Sequence, residues 1–505
     1  MIRAVAALVM AIAAWPAFSA VLSRAIWRAS PHLAVKLLLA VSVGGAAAIA
    51  IAALAPLPVV TAVAVVAALV TAGDALTRRA GRGVAAGLPP GSLGLLPLGP
   101  WRNQGFYAAQ ARRYGAVFKA RQIVRPLACI NDLPTGRRLL KEADADLVAP
   151  PLGFSRFIPG GYLRYRAPAE HASYKNLFRL AFSRDVADAR SAQLHAGFRN
   201  GLTAVAAEGA EIPPRARVNR ILFPLWAGLY AGLEPDAPET ARLKELSRVI
   251  DTRNPRWVSD RRVRAAAAEL SEIFVAQRTR FDALPDDEVP RCFLDEIRRH
   301  EPSSLDDPAV LGNLVFLFHV TWGDVSGLLT WIARMLAGHP AVVLAARAEL
   351  APGADDGPAP RDSLCTRIVH ETLRLEQSEH IYRRTTSSVT VADRTIPSGW
   401  IVRVGVHEAH RNPTVFERPD TFDPDRFLGR SYAKDEYSPF GAHRLACLGE
   451  QVTVAVARTF TEELMTGFDL ETTRDGPAEL GSWGHWAPSS RWRLALSPVA
   501  GGAAS

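Results

Sequence analysis

Cys447 is the residue of this sequence whose type and surroundings most clearly indicate a chemical role. It has Gly441 before it and Gly449 after it, and an apolar periodic stretch runs from about 448 to 466. A cysteine at the start of a helix lies at the positive end of the helix dipole, which favours the thiolate. Glycines allow the backbone to approach a flat group closely. Such a loop suits a thiolate that ligates a haem iron, whereas an arbitrary cysteine is more often a buried structural residue.

The spacing around this cysteine resembles the haem-binding loop of the cytochrome P450 family. Phe440 stands seven residues before Cys447, and glycines stand six residues before it and two after it. The resemblance implies that Cys447 is the axial ligand of the iron of haem b (iron protoporphyrin IX) and that Phe440 lies beside the cofactor.

The same loop departs from the family pattern at two positions. The family has glycine four residues before the cysteine and arginine or histidine two residues before it, whereas this chain has His443 and Leu445. We therefore expect Arg444 or His443 to make the contact between this loop and a haem propionate. Exposure of both side chains to solvent is the alternative.

Three charged residues resemble the structural network that the family places beneath the haem. Glu371 and Arg374 are three residues apart and share one face of a helix, as in the family's Glu-x-x-Arg motif, although such a pair alone is usually a solvated salt bridge. The segment 422–427 resembles the one that supplies the third member, which is Arg426 here. The resemblance implies that these residues have a structural role.

Basic residues match the positions that hold haem propionates in the family. A propionate requires a cation, and the segment 171–183 resembles the helix that supplies one, with His171 and Lys175 as candidates. Exposed basic residues on a helix are the alternative for this pair. Arg383 and Arg384 stand where the family usually has a second propionate-binding arginine.

A helical pattern from about 311 to 338 resembles the family's distal helix, with Trp331 and a following His-Pro pair as anchors. Counting from that match, the family's acid–alcohol pair falls on Gly323 and Asp324. The alcohol normally helps to deliver protons during oxygen activation. We expect Asp324 to relay a proton through water or to contact a polar group of the substrate. An outward-facing carboxylate is the alternative, which the apolar sequence on both sides disfavours.

The resemblance spans about 89–492 and implies a haem-thiolate monooxygenase. Such an enzyme oxidises a lipophilic or amphiphilic small molecule with dioxygen and with electrons from a separate ferredoxin or flavoprotein reductase. The altered acid–alcohol pair leaves a second interpretation open, a family member that uses peroxide, isomerises or dehydrates. A haem sensor without catalysis is the third. Electron-donor dependence would separate the first two.

Three segments are expected to concern the substrate. Polar residues at 376–380 and the segment 481–486 resemble parts of the family's substrate pocket, which suggests an amphiphilic ligand with polar groups. The apolar stretch 221–226 is expected either to dip into a bilayer beside the anchor or to form a core helix.

Residues 1–82 favour a membrane anchor. Uncharged stretches predict three transmembrane spans at about 4–22, 37–55 and 58–73, since a span needs about 20 apolar residues. Basic residues lie between the first two spans and after the third, so that three crossings place both groups on the cytoplasmic side. A cleaved signal peptide is the alternative for the first stretch. The remainder, 83–505, is then a catalytic domain in the cytoplasm.

Composition excludes several other classes of protein. With 49% hydrophobic and 22% charged residues, the chain is not of the disordered class. Its four scattered cysteines, without a Cys-x-x-Cys pair, disfavour a disulfide scaffold and a structural zinc site. The net charge of +9 is spread along the chain, so no nucleic-acid partner is expected. Helical periodicities dominate and strand signals concentrate near 389–404, which predicts a mainly α fold with minor β structure. The resemblance specifies a cytochrome P450 fold preceded by transmembrane helices.

Overall fold

The computed structural model describes residues 2, 4–10, 48–66, 68, 87–91, 93, 100, 103–122, 125–150, 157–158, 160–209, 213–250, 260–351, 362–377, 380–480 and 485–499. These residues form two units. The first contains the described residues of 1–153 and of 381–408, and the second contains the other described residues.

A five-stranded sheet is the main β structure of the first unit. The strands up to residue 405 are β1 (Val117–Gln122), β2 (Arg125–Ile130), β3 (Leu147–Val148), β4 (His380–Thr385), β5 (Val389–Val391), β6 (Arg394–Ile396) and β7 (Ile401–Gly405). The sheet has the order β1-β2-β7-β4-β3, in which β2 and β7 are parallel and β1 and β2 are antiparallel. Strands β5 and β6 form a separate antiparallel pair, which confirms the strands predicted near 389–404.

Helices dominate the rest of the chain. They are α1 (Phe106–Tyr114) and α2 (Leu133–Glu142) in the first unit, followed by α3 (Pro168–Ala181), α4 (Arg184–Ala189), α5 (Ser191–Ala207), α6 (Pro214–Ala231), α7 (Pro238–Ile250), α8 (Asp260–Asp282), α9 (Phe293–His300), α10 (Pro308–Ala337), α11 (Pro340–Leu350), α12 (Leu364–Thr372), α13 (Val406–Ala409) and α14 (Glu450–Gly467). A π-helical turn, Leu373–Gln377, continues α12. The last strands are β8 (Phe468–Arg474), β9 (Glu479–Leu480), β10 (Trp486–Ala487) and β11 (Arg493–Pro498). The mainly helical fold with small sheets is as predicted.

Helix α10 is the central helix of the second unit. Its start is encoded locally, because the Asp307 side chain accepts a hydrogen bond from the Ala309 N–H and Pro308 occupies the first helical position. The sequence from 308 to 323 is uncharged, and most of its side chains are buried. Such an apolar helix is stabilised by packing on several sides.

Helix α6 packs against α10 and contains the apolar stretch 221–226. Ile221, Leu222 and Trp226 are buried in it, and the Phe223 ring contacts the Phe318 ring of α10 at 5.5 Å between centroids. The prediction that this stretch dips into a bilayer is therefore wrong, and the alternative of a core helix is correct.

The N-terminal region contains helical segments at 4–10, 48–54 and Leu57–Val66. Ala6, Met10, Ala52 and Val60, one or more from each segment, pack in a common apolar cluster. Among the described residues, α10 alone is long and apolar enough to span a membrane, and it is 72% buried within the protein, as a core helix would be. Other parts of the three predicted spans, and the basic residues beside them, lie outside the described residues.

Candidate haem-binding active site

Cys447 lies in the loop that precedes α14. A 3₁₀ turn, His443–Leu445, comes before it, and the helix begins three residues after it. The Cys447 N–H donates a hydrogen bond to the Phe440 carbonyl at 2.8 Å, which closes the loop. Cys447 is partly exposed, whereas the other three cysteines of the chain are buried. The cysteine singled out by its spacing is thus the accessible one.

The surroundings of Cys447 disfavour a free thiolate. Burial raises the pKa of the Cys447 thiol, and the hydrogen bond from the Gly449 backbone and the charge of Arg164 oppose that increase. The helix dipole expected from the sequence therefore does not by itself produce a thiolate. A coordinated metal cation does deprotonate a thiol, so this cysteine suits a ligand to iron.

His443 has an unusual backbone conformation. Its φ is +54°, which is the left-handed region that glycine adopts at little cost. This is the position where the family pattern has glycine. The chain therefore keeps the backbone shape of the loop without the residue that would adopt it most easily.

Lys175 supports the same turn from α3. Its Nζ donates hydrogen bonds to the carbonyls of Arg444, at 2.8 Å, and of His443, at 3.4 Å. Burial and the positive charges of Arg164, Arg179 and Arg444 lower the pKa of Lys175. These cations repel one another, which favours a bound anion such as a carboxylate. The sequence-predicted residues Lys175 and Arg444 thus lie together, and His171 is buried one helical turn before Lys175.

Arg383 and Arg384 lie in β4, in the first unit, whereas Cys447 and Lys175 belong to the second. Arg383 is buried and donates a hydrogen bond to the Tyr382 carbonyl at 2.7 Å. Arg384 is paired with Val148 in the sheet register. Successive residues of a strand face opposite sides of the sheet, so at most one of the two arginines is suited to a given ligand.

The predicted network of three charged residues is present. Arg374 donates to Glu371 through Nε and Nη2, at 2.7 and 2.8 Å, and Arg426 Nε donates to Glu371 at 3.0 Å. Arg374 also donates to the carbonyls of His410 and Pro419. Glu371 and Arg374 are fully buried, and breaking such a hydrogen-bonded buried pair typically costs about 3–5 kcal/mol.

Asp324 lies in the middle of α10 and is exposed, although Gly323 and Val325 beside it are buried. Its negative charge acts on the thiol of Cys447 and on the guanidinium of Arg164. Asp324 is therefore near enough to Cys447 for its charge to raise the pKa of the thiol.

Two hydroxyl groups of α10 lie near Asp324 in the sequence, and that of Thr321 is hydrogen-bonded elsewhere. Thr321 Oγ1 donates to the Leu317 carbonyl at 2.7 Å, accepts from Trp226 Nε1 at 3.1 Å and is 2.9 Å from the Tyr230 hydroxyl. Two of these partners belong to α6, so the Thr321 hydroxyl is held at the contact between α6 and α10. Ser326 is fully buried. Neither Thr321 nor Ser326 therefore takes the place of the alcohol that the family has beside its acid.

Sequence reasoning did not find Arg164, which lies in the 3₁₀ turn Leu163–Tyr165. Its charge acts on Cys447 and Asp324 together. The turn is held by Asn313 of α10, whose Oδ1 accepts from the Leu163 N–H at 2.8 Å and whose Nδ2 donates to the Gly161 carbonyl at 2.9 Å. No motif marks Arg164, because its position depends on a contact between residues 150 apart in the sequence.

A small apolar cavity of about 30 Å³ lies between α7, α8 and α10. Its lining includes Ile250, Val263, Val315 and Phe316, with Ser271 and His319 as polar members. A space of this size has room for about one or two water molecules.

Two histidines from segments expected to border the substrate lie together. The rings of His380 and His485 are stacked at 5.4 Å between centroids. Of the predicted segment 481–486, positions 481–484 lie outside the described residues. The polar character predicted for this part of the pocket therefore includes a pair of imidazoles.

The residues present fit a haem. The partly exposed thiol of Cys447 is joined by a cluster of cations that suits propionates. The exposed side chains of Arg164 and Asp324 interact with that thiol electrostatically, which leaves accessible surface beside the sulfur.

Comparison with known proteins agrees with this site. Residues 278–485 match the family model described as Cytochrome P450. The chain is 24% identical over 413 residues to "Abscisic acid 8'-hydroxylase 3" of Oryza sativa subsp. indica, which covers 76% of this chain and 81% of the relative. It is 28% identical over 221 residues to "Cytochrome P450 2J2" of Homo sapiens, covering 41% and 42% of the two chains.

Solved structures share the fold. "Retinoic acid bound cyanobacterial CYP120A1" superposes with a TM-score of 0.67 at 18% identity, covering 82% of this chain and all of that one. A zebra fish cytochrome P450 with progesterone has a TM-score of 0.64 at 18% identity, covering 78% and 99%. The family model, the curated relatives and the structural neighbours agree, and this chain is similar to the cytochrome P450 family of haem-iron oxidoreductases.

Proposed function

We propose that this chain is a monooxygenase that inserts oxygen into a lipophilic or amphiphilic small molecule. The observation that carries the proposal is the partly exposed Cys447 in the loop before α14, with Asp324 near enough for its charge to raise the pKa of the thiol. Relatives named as hydroxylases support it. Neighbours named for retinoic acid and progesterone are consistent with a small organic substrate.

The chain's own residues have distinct tasks in this proposal. Cys447 ligates the iron of haem b, and Lys175 and Arg444, with His171 or one of Arg383 and Arg384, bind its propionates. The haem supplies the oxygen-activating chemistry when it is bound. Asp324 transfers protons through water, because it is an acid of α10 whose charge acts on the Cys447 thiol. The apolar side chains of α10 contact the hydrophobic part of the substrate and exclude bulk water.

A second function is favoured by one observation. The hydroxyl of Thr321 is engaged with α6, and the family's acid–alcohol pair is Gly323 and Asp324 here. Members of the family that use peroxide, isomerise or dehydrate also lack the alcohol. In that case no electron donor is needed. No observation favours the interpretation as a non-catalytic haem sensor.

The electron donor and the location complete the proposal. A separate ferredoxin or flavoprotein reductase supplies electrons, and the apolar N-terminal segments anchor the chain in a membrane with the catalytic domain in the cytoplasm. The basis for the anchor is the length of uncharged sequence before residue 73. Substrate would then reach the site from the bilayer.

The first experiment compares carbon monoxide difference spectra of the reduced, haem-loaded full chain. We expect the wild type to show the Soret position typical of thiolate-ligated haem. The variant Cys447→Gly should show no such band. Cys365→Ala, which changes a buried cysteine, is the matched control and should keep the band. A thiolate spectrum that persists in Cys447→Gly would contradict the assignment of the ligand.

The second experiment separates the two functions. Product formation is measured with a reductase and reduced nicotinamide cofactor, and separately with hydrogen peroxide alone. Turnover that requires the electron donor supports the monooxygenase. Turnover with peroxide alone, and none with the donor and dioxygen, would replace it with the second function.

A further inference from the structure

The turn before Cys447 has a strained backbone. His443 has a φ of +54°, a conformation that a residue other than glycine keeps only when its surroundings enforce it. The Ala446 N–H donates to the His443 carbonyl at 3.0 Å, and the Cys447 N–H donates to the Phe440 carbonyl at 2.8 Å. Both bonds lie within the loop, so they set its shape and not its position relative to the helices.

Lys175 of α3 joins this turn to a helix. Its Nζ donates to the carbonyls of Arg444, at 2.8 Å, and of His443, at 3.4 Å, and the contact is partly buried. Hydrogen bonds from a charged donor are about twice as strong as those between neutral groups. An ammonium group has three N–H donors, so two hold the turn and one is left for the propionate that the proposed function assigns to Lys175.

Helix α3 is itself fixed to the distal helix. The Tyr174 hydroxyl, next to Lys175 in the sequence, donates to the Asp307 carboxylate at 2.5 Å. Asp307 also caps the start of α10, because it accepts a hydrogen bond from the Ala309 N–H at 2.8 Å. These residues and Cys447 all belong to the second unit. Helix α3 therefore connects the start of α10 with the loop that carries the cysteine.

We propose that Lys175 is a positioning residue for the ligand Cys447. Its ammonium group holds the turn His443–Leu445 against α3 and thereby keeps the sulfur where it ligates iron. This inference rests on the proposed function, in which Cys447 is the ligand, and adds a residue that acts through the loop. The chain has His443 where the family pattern has glycine, and the contact from Lys175 is what enforces the backbone conformation there.

The test compares Lys175→Met, Lys175→Arg and Lys434→Met with the wild type, each as the haem-loaded full chain. Carbon monoxide difference spectra give the ratio of the thiolate-ligated form to the form whose band lies at shorter wavelength. Hydrogen exchange with mass spectrometry gives the rate at which the amides of residues 440–449 open to solvent. The first readout reports the ligand and the second reports the loop.

Loss of two charge-assisted hydrogen bonds should loosen the loop. In Lys175→Met the spectral ratio should decrease by about tenfold and the loop amides should exchange about tenfold faster or more. Lys175→Arg keeps the charge and several donors, so both values should stay within about threefold of the wild type. Lys434→Met removes an exposed lysine whose Nζ lies 3.1 Å from Glu450 at the start of α14. It should match the wild type, because exposed ion pairs contribute little.

Haem dimethyl ester separates loop positioning from propionate binding. Its propionates are esterified, so they cannot form an ion pair with Lys175. If Lys175 positions the loop, Lys175→Met and the wild type should differ as much when loaded with the ester as when loaded with haem. A difference that is present with haem and disappears with the ester would overturn the inference and leave Lys175 as a propionate ligand alone.

Two other results would also overturn it. Lys175→Met has the spectrum and the exchange rates of the wild type, or Lys434→Met changes both as much as Lys175→Met does. If Lys175→Met does not bind haem, Lys175→Gln, which keeps an amide donor, is measured in its place. Failure of the proposed function appears instead in the wild type, as the absence of any thiolate band. A wild type with that band and a matching Lys175→Met would remove this inference alone.

Discussion

At the scale of single residues, the site differs from its family pattern mainly at Asp324. A carboxylate in the middle of an apolar helix is costly unless it has a function or a partner. Asp324 is exposed rather than buried among the apolar side chains of α10, and its charge acts on Arg164 and Cys447. The proton relay and the alternative of an outward-facing carboxylate are separated by substitution.

The variant Asp324→Asn tests proton transfer. An amide of the same shape cannot accept and then donate the proton, so donor-dependent turnover should decrease by at least about tenfold. More of the electrons should then appear as hydrogen peroxide, while the haem content stays the same. Turnover and peroxide are measured together on a substrate of the wild-type enzyme. Asp324→Glu keeps the acid and should retain part of the activity. Unchanged turnover and coupling in Asp324→Asn would rule out the relay.

Two buried histidines predict how stability depends on pH. Burial lowers the pKa of His410 to about 3 and that of His370 to about 4. The neutral form of His410 is also suited to its contact, because Nε2 accepts a hydrogen bond from the Ser438 N–H at 3.0 Å. In the unfolded chain a histidine binds a proton near pH 6.5, so the unfolded state binds more protons below that pH. The free energy of unfolding should therefore decrease as the pH falls from about 6.5 toward 4.

The size of that decrease is about 1.4 kcal/mol per pH unit for each buried histidine. Urea denaturation at about pH 7, 6 and 5 measures it. His410→Gln should make the dependence shallower by one such increment, whereas His300→Gln, at a more exposed histidine, should leave it unchanged. An identical pH dependence for His410→Gln and the wild type would mean that His410 is already protonated in the folded protein.

At the scale of elements, the loop before α14 keeps the family's backbone shape with a different residue. His443 adopts a φ of +54°, and a residue other than glycine in this region costs about 1 kcal/mol or more. His443→Gly should therefore raise the free energy of unfolding by about 0.5–1 kcal/mol. His443→Val, with a β-branched side chain, should lower it. Both are measured by urea denaturation of the haem-loaded protein. Equal stability of all three proteins would show that the turn relaxes when it is substituted.

The sequence predicted elements with a strong local signal and missed those that depend on distant contacts. The apolar pattern at 262–283 corresponds to α8, which spans Asp260–Asp282, and the pattern at 341–351 corresponds to α11, which spans Pro340–Leu350. Apolar periodicity sets the extent of such helices, and proline at the first position marks the start of α11. The turn at Leu163–Tyr165 has no periodicity and is positioned by Asn313. Arg164 therefore could not be found, whereas Cys447 and Glu371 could, because motif spacing identifies them.

At the scale of the whole molecule, the open question is how the chain is attached to a membrane. The apolar cluster of Ala6, Met10, Ala52 and Val60 joins helical segments from all three predicted spans. Many other side chains of these segments are exposed, including Leu54 at 85%. Exposed apolar surface on packed helices is what a lipid environment would cover.

Reporter fusions test the predicted three crossings. The basic residues Arg24, Arg28 and Lys36 lie between the first two spans, and Arg78, Arg79 and Arg82 follow the third. Positive residues are retained on the cytoplasmic side. Alkaline phosphatase is active only outside the cytoplasm. It should therefore be active when fused after Pro56 and inactive when fused after Leu88. A fluorescent protein that folds in the cytoplasm should show the reverse.

Substituting glutamine for Arg78, Arg79 and Arg82 should weaken this orientation, whereas glutamine at Arg112 and Arg113, in α1, should not. Phosphatase activity after Leu88 but not after Pro56, with a mature chain that begins near residue 20, would instead establish a cleaved signal peptide and two spans.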